Sequence, residues 1–290
     1  MVRWSTGGAL LLAFAVVAGA GAVETRRPAN LETFMSLDSP TRVIAHRGFS
    51  AQAPENTLVA VRRAIAVGAD MVEVDVTVTA DGHVICLHDE ALDRTTNGHG
   101  PASALPLSTV AALDAGSWFG PRFAGEPVPT LAAVLTLAKG HILVNVEIKP
   151  EAAERHVVPK VAELIRDHGM LDNVIVSSFS PEALRHMKLV DPEVVTVSLL
   201  NDRLHEGLDP LEVVQEVGSR GLNLSKDRVT PQLVERCHRH GLPVGVYTVN
   251  SRRQMRRLIR MGVHSIFTDH PDRLREVVDE ATRPAVAAGG

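Results

Sequence analysis

The chain has 290 residues, enough for one large α/β domain with a substantial core or for two smaller ones. Its formal net charge is −4 and only 3% of its residues are aromatic. With no overall basic field and few rings to stack on, nucleic acid is excluded as an expected partner, and so is a wide platform for sugars.

The first segment reads as an export signal. Arg3 supplies one basic residue, a short apolar run covers 9–22, and Ala20-Gly21-Ala22 is a small-residue cleavage site. Residues 1–22 are expected to be removed, leaving a secreted or periplasmic protein with no membrane span; a retained anchor is the alternative. A polar, proline-bearing lead covers 23–40. Export permits disulfides, but Cys86 and Cys237 have no metal-type spacing and read as two free packing thiols.

Nine β-rich runs follow, at 43–47, 71–78, 84–88, 142–149, 174–179, 194–200, 221–226, 243–249 and 264–268. Helix-period segments separate most of them, among them 57–67, 131–138, 155–168, 181–189, 231–240 and 251–261. This alternation predicts a parallel sheet with right-handed crossovers. Nine strands are one too many for an eight-fold barrel. Thr79-Ala80-Asp81-Gly82 is too short for a crossover, so 84–88 must return antiparallel beside 71–78. The fold class is therefore α/β, a (β/α)8 TIM barrel over 41–280 with one extra hairpin strand. Segment 90–128, rich in turn residues and carrying Trp118, Phe119 and Phe123, is an inserted loop region that reads as a lid or a subdomain over a site. Residues 281–290 read as a flexible tail.

Side chains two apart on a strand share a face, which puts Glu73 with Asp75 and Glu147 with Lys149. Three inward carboxylates at a barrel mouth repel one another, each pair about 5 Å apart costing ~3 kcal/mol at an effective dielectric near 20. One divalent cation relieves that, and all-oxygen ligation favours Ca²⁺ or Mg²⁺. His46 and His88 each close a β-run, where such barrels carry their active sites. Antiparallel pairing of 84–88 sets His88 opposite Val74, level with Glu73 and Asp75. Two imidazoles there suit general acid and base work at neutral pH. Arg47 and Lys149 add a planar fork and a point charge for phosphate oxygens. A metal and two cations around one anion indicate phosphoryl chemistry rather than sugar hydrolysis. Gly48 permits a tight backbone path after Arg47.

These residues stand in longer motifs: His46-Arg47-Gly48, Pro54-Glu55-Asn56-Thr57, Glu73-Val74-Asp75, Thr79-Ala80-Asp81-Gly82, His88-Asp89, Leu92-Asp93-Arg94-Thr95-Thr96, Glu147-Ile148-Lys149, Tyr247-Thr248-Val249-Asn250 and Thr268-Asp269-His270-Pro271. In order and spacing they resemble the glycerophosphodiester phosphodiesterase family over about 43–275. The resemblance implies metal-dependent hydrolysis of glycerophosphodiesters to an alcohol and sn-glycerol 3-phosphate. It implies Glu73, Asp75 and Glu147 on the metal, His46 and His88 as the acid/base pair, and Arg47 and Lys149 on the phosphate. Tyr247 stands where the family often has a Trp against the glycerol, and His264 where an acidic residue is usual; both are expected to reshape the glycerol pocket. A phospholipase D-like enzyme acting on lysophospholipid or sphingomyelin would share these residues but need an apolar groove from 90–128. With only three aromatics there, the insertion suits a small polar ester better. A non-catalytic phosphodiester-binding barrel is the remaining alternative.

Overall fold

The computed structural model describes residues 30–153, 157–201 and 204–283, so the expected export signal lies outside the described residues. A short helix α1 (Leu31–Met35) precedes β1 (Arg42–Ala45), α2 (Leu58–Ala66), β2 (Met71–Val78) and β3 (Val84–Cys86). After α3 (Leu107–Val110) and α4 (Leu131–Ala138) come β4 (Leu143–Ile148), α5 (Pro150–Ala153) and α6 (Val157–Asp167). Strict alternation then resumes with β5 (Val174–Ser178), α7 (Pro181–Val190), β6 (Val195–Leu200) and α8 (Pro210–Val217). It ends with β7 (Leu222–Ser225), α9 (Pro231–Arg239), β8 (Val244–Tyr247), α10 (Arg252–Arg260), β9 (Ser265–Thr268) and α11 (Pro271–Thr282).

Eight of the strands close a parallel barrel in the order β1, β2, β4, β5, β6, β7, β8, β9, with β1 pairing both β2 and β9. The ninth, β3, lies antiparallel on β2 with Val76 facing Cys86, as the four-residue turn requires. Strand β2 thus changes partner along its length. Met71 and Val72 pair with β1, while Val76, Thr77 and Val78 pair with β3. Most helices start where local chemistry demands it. Thr57, Thr130, Ser180, Asp209 and Thr230 accept backbone N–H bonds as N-caps, and α7, α8, α9 and α11 open on proline.

Period-2 alternation divides the side chains. Val72, Val74, Val76, Val144, Val146 and Val176 face outward under α2, α4, α6 and α7 in one buried shell. Ile44, Met71, Leu143, Ile175, Val195, Val197 and Phe267 fill the lower barrel. Leu31 and Phe34 of α1 pack into that same cluster, closing the end of the barrel opposite the mouth. Burying a side chain of Phe34's size contributes roughly 2–3 kcal/mol. Helix α1 precedes the expected domain of 41–280, and α11 ends at Thr282. His264 belongs to this closed end, and this corrects its expected place at the glycerol pocket. Its Nε2 bonds the Phe34 carbonyl at 2.6 Å and its ring stands edge-on to Phe34.

The inserted 90–128 region has a core of its own. Leu92, Ala102, Val110, Ala115 and Val128 pack on Ile85 and Leu87. Phe123 is buried against Ala53 and Ala60, with Phe119 beside it and the Arg122 guanidinium 4.7 Å from its ring centre. Phe119 and Phe123 thus anchor the insertion on α2 instead of covering a substrate. Trp118 stays 42% exposed, with its indole N–H donated to the Ala115 carbonyl. Both thiols are free and buried. Among the described residues no helix is long and apolar enough to cross a membrane.

Candidate active site at the carboxyl end of the barrel

The chain leaves β1 at His46 and turns sharply. Arg47 sits at φ 56° and Gly48 at φ 81°, both left-handed. A Cβ on Gly48 would meet the Ala60 Cβ at 2.5 Å, so only glycine lets this turn lie on α2. The turn aims the Arg47 N–H at Glu73, which accepts it through Oε2 at 2.7 Å. Asn56, also left-handed at φ 58°, returns the chain to β2. Its Oδ1 accepts the Asp75 N–H at 3.1 Å and its Nδ2 donates to Asp75 Oδ2 at 2.9 Å. Asparagine suits the place because it tolerates this backbone region.

Glu73, Asp75 and Glu147 converge as the strand parity required. One oxygen from each lies within 4.8 Å of the others. Glu73 and Asp75 are each only 1% exposed. Lys149 donates to Glu147 and lies 2.7 Å from Asp75 Oδ1, while the Arg47 Nε lies 3.3 Å from Asp75 Oδ2. The predicted phosphate-binding cations thus flank the predicted metal ligands. Burial opposes charge on Asp75, yet Lys149 and Arg47 hold it well below the usual carboxylate range. Glu73 lacks such a partner. Burial and the Asp75 charge push it up to about 8, and its Oε1 is buried with no hydrogen bond. A buried oxygen without a partner, in an all-oxygen set, is what a hard divalent cation would satisfy, so the residues fit such an ion.

Each histidine is held by a carboxylate. His46 Nδ1 lies 2.7 Å from Asp269 Oδ1, and Asp269 also accepts from Ser50 at 3.0 Å and from Asn250 at 2.6 Å. Since Asp269 accepts every bond, the shared proton sits on Nδ1, leaving Nε2 as the nitrogen for proton transfer. Burial opposes the His46 charge, but the Asp269 hydrogen bond and the Glu73 charge raise its affinity for a proton overall. His88 Nδ1 lies 2.6 Å from Asp89 Oδ1. The other Asp89 oxygen takes the Arg94 Nε at 2.5 Å, and Arg94 forks onto both oxygens of Glu55 at 2.9 and 2.8 Å. Glu55 in turn accepts from Arg47 at 2.9 Å. One chain of charge-assisted bonds therefore links His88 to Arg47, and its middle member comes from the insertion.

All eight residues proposed from sequence lie at this end of the barrel. His46, His88, Arg47, Lys149, Glu73, Asp75 and Glu147 form its ionic half. Tyr247 stands across from them, its ring edge-on to Phe179 at 5.8 Å and to Phe267 at 6.4 Å, with its hydroxyl donated to the Leu200 carbonyl at 2.8 Å. A cavity of about 460 Å³ opens beside His46, Arg47, Glu55 and Asp269. Asp269, Asp89, Asn56, Glu55, Arg94 and Asn250 stand in the motifs above with no role predicted for them. Their charged and amide types within the site motifs are the available signal; their partners are not legible from it.

Three comparisons with known proteins agree with this geometry. The profile of the Glycerophosphoryl diester phosphodiesterase family matches residues 46–273. The glycerophosphodiester phosphodiesterase of Caldanaerobacter subterraneus subsp. tengcongensis is 38% identical over 240 residues, covering 82% of this chain and 98% of that one. Another, from Bacillus subtilis, is 33% identical over 260 residues, with 83% and 88% covered. Among solved structures, an Oleispira antarctica phosphodiesterase in complex with the product sn-glycerol-3-phosphate superposes with a TM-score of 0.78 at 31% identity, over 83% of this chain and 97% of that one. The Agrobacterium tumefaciens glycerophosphodiester phosphodiesterase gives 0.73 at 33%, over 81% and 99%.

Proposed function

The chain belongs to the glycerophosphoryl diester phosphodiesterase family and is a glycerophosphodiester phosphodiesterase; we propose that it works with two histidines and one divalent cation. The observation that carries this reading is the pair of histidine–carboxylate couples flanking one oxygen triad. Glu73, Asp75 and Glu147 would hold Ca²⁺ or Mg²⁺, which when bound supplies a Lewis acid for a phosphoryl oxygen.

The protein's own groups do the rest. Arg47 presents a fork and Lys149 an ammonium to the phosphate, both kept charged by the carboxylates around them. One histidine takes the proton of the attacking oxygen, from water or from the glycerol hydroxyl next to the ester. The other gives a proton to the leaving alcohol. Asp269 and Asp89 fix the tautomer each task needs. Tyr247 and Phe179 offer ring surface to the glycerol.

Release of sn-glycerol 3-phosphate from glycerophosphocholine, with chelator and then with added Ca²⁺ or Mg²⁺, tests the reading. Turnover that stops on chelation and returns with either ion supports it. Full activity in chelator, with no metal found by elemental analysis, removes the cation from it. The basic, apolar and small-residue run of 1–22 supports export, and mature protein outside the cytoplasm starting near residue 23 would bear that out.

A further inference from the structure

The ring of helices around the barrel carries its charge unevenly. Helix α10 holds five arginines in nine residues, Arg252, Arg253, Arg256, Arg257 and Arg260, and no acidic residue. Two of the five are neutralised by α11, where Glu276 takes Arg252 and Glu280 takes Arg256. Arg253, Arg257 and Arg260 are exposed, with no ion pair or side-chain hydrogen bond among the described residues. Standing at i, i+4 and i+7, they fall within about 60° around the helix and over ~10 Å of its length. Met255 and Leu258 lie on the opposite side, in the core. On α9, which precedes β8 as α10 follows it, Arg239 is exposed and Arg236 is paired with Asp209. Glu235 is the one acid of α9.

This arrangement works against the helix that bears it. Like charges three and four residues apart repel, and arginines in the first turn oppose the helix dipole. Packing on the barrel needs only the opposite side. The whole chain has a net charge of −4, so the stripe is a local reversal of sign and not part of a general basic field. No large apolar side chain is exposed on α9 or α10, and neither helix contains a Phe, Trp or Tyr. The surface thus offers guanidinium forks alone, with nothing to enter an apolar groove and no ring for a base to stack on.

We propose that this stripe docks the enzyme on an anionic phospholipid surface, its guanidinium groups meeting lipid phosphates. Charge complementarity is the argument: a straight line of forks on the outermost side of a convex wall matches a plane of phosphates. Contact stays at the head groups, since no side chain there is apolar enough to penetrate. The stripe runs down the barrel wall from the end where Tyr247 lies, so a docked molecule keeps its mouth open to soluble diesters. Removing the acyl chains from a phospholipid is the class of reaction that yields a glycerophosphodiester, and docking holds the enzyme beside that source. The proposal goes beyond the catalytic reading and depends on neither the histidines nor the cation.

Sedimentation of the full chain with vesicles tests it, comparing phosphatidylcholine alone with an equal mixture of phosphatidylglycerol and phosphatidylcholine at low salt. The apolar run of 9–22 meets both vesicles alike, so the difference between them is the readout. Each arginine near an anionic surface is worth about fivefold in partitioning, so the three together should give roughly 10²-fold. Arg253→Gln, Arg257→Gln and Arg260→Gln combined should remove that gain, with melting temperature and hydrolysis of glycerophosphocholine unchanged. Arg62→Gln with Arg220→Gln, two exposed arginines on α2 and before β7, should leave it within about threefold. Raising salt to about 0.5 M should abolish it in the parent. Equal binding to both vesicles, or a gain that survives the triple substitution or high salt, overturns the proposal. An equal loss in the Arg62 and Arg220 variant assigns binding to net charge and also overturns it. Tighter binding to duplex DNA than to the mixed vesicles, at equal phosphate concentration, replaces the membrane with nucleic acid and overturns it as well.

Discussion

His46 and Asp269 meet at 2.7 Å across the seam where the barrel closes, one just past the first strand and the other just past the last. Without Asp269 the His46 ring has no carboxylate to hold its Nδ1 proton. The seam is held by four residue pairs between β1 and β9, from Arg42 with Ser265 to Ala45 with Thr268. Closure of the barrel at this seam is what brings His46 and Asp269 together.

Replacing either imidazole should separate chemistry from folding. His46→Ala and His88→Ala are each expected to lower kcat by at least ~10²-fold, the usual scale of general acid–base catalysis. Both sit at the open mouth, so their melting temperatures should stay near that of the parent. A variant that keeps parental kcat takes its histidine out of the mechanism.

Arg94 reaches the site from the insertion and bonds Asp89 and Glu55 together. Arg94→Ala is expected to lower kcat about tenfold, with less effect on KM, because His88 loses the partner that fixes its carboxylate. Arg94→Lys should recover only part of the loss, since one ammonium cannot fork to Glu55 while holding Asp89. Steady-state kinetics on the two variants decides it: equal, parental kcat in both would free His88 from this chain.

Gly48 tests the turn after β1. Gly48→Ala adds a Cβ 2.5 Å from that of Ala60 at a φ of 81°. Strain and clash together should cost about 2–4 kcal/mol, read as a drop in denaturant midpoint. Arg47, one residue earlier, should shift with the turn and raise KM. A variant as stable as the parent would show that α2 can move aside.

His264 gives the pH dependence of stability. Burial at the closed end pushes it down to about 4, from an ordinary value of 6.5. The unfolded chain therefore binds the proton first as pH falls. Stability tied to this group is full above about 6.5, declines between 6.5 and 4, and is lost below 4, by on the order of 3 kcal/mol. His264→Gln keeps a donor for the Phe34 carbonyl without a titrating ring. Urea unfolding at several pH values should show a flatter acid limb in that variant; identical limbs would refute the assignment.

Much of this was legible in the chain. Period 2 and the Thr79–Gly82 turn gave nine strands, the one antiparallel member, and a register that extends to His88 opposite Val74. Strand parity alone brought Glu73, Asp75 and Glu147 together. Pairings over long separations were not legible, because local pattern carries no information about them: Asp269 lies 223 positions from His46, and Arg94 lies 39 from Glu55. The aromatics of the insertion misled for a related reason. A ring in a loop looks the same in sequence whether it turns to a substrate or, like Phe123, into a helix flank. His264 misled because its neighbour in space is Phe34, which stood in a lead with no assigned structure.

The change of partner along β2 leaves Asp75 past the last bond to β1, and there Asn56 takes up its N–H as a neighbouring strand would. A single side chain thus serves as a splint at the point where the barrel wall parts. The edge beside the carboxylates is thus closed from below by Asn56 and does not depend on the backbone of the insertion.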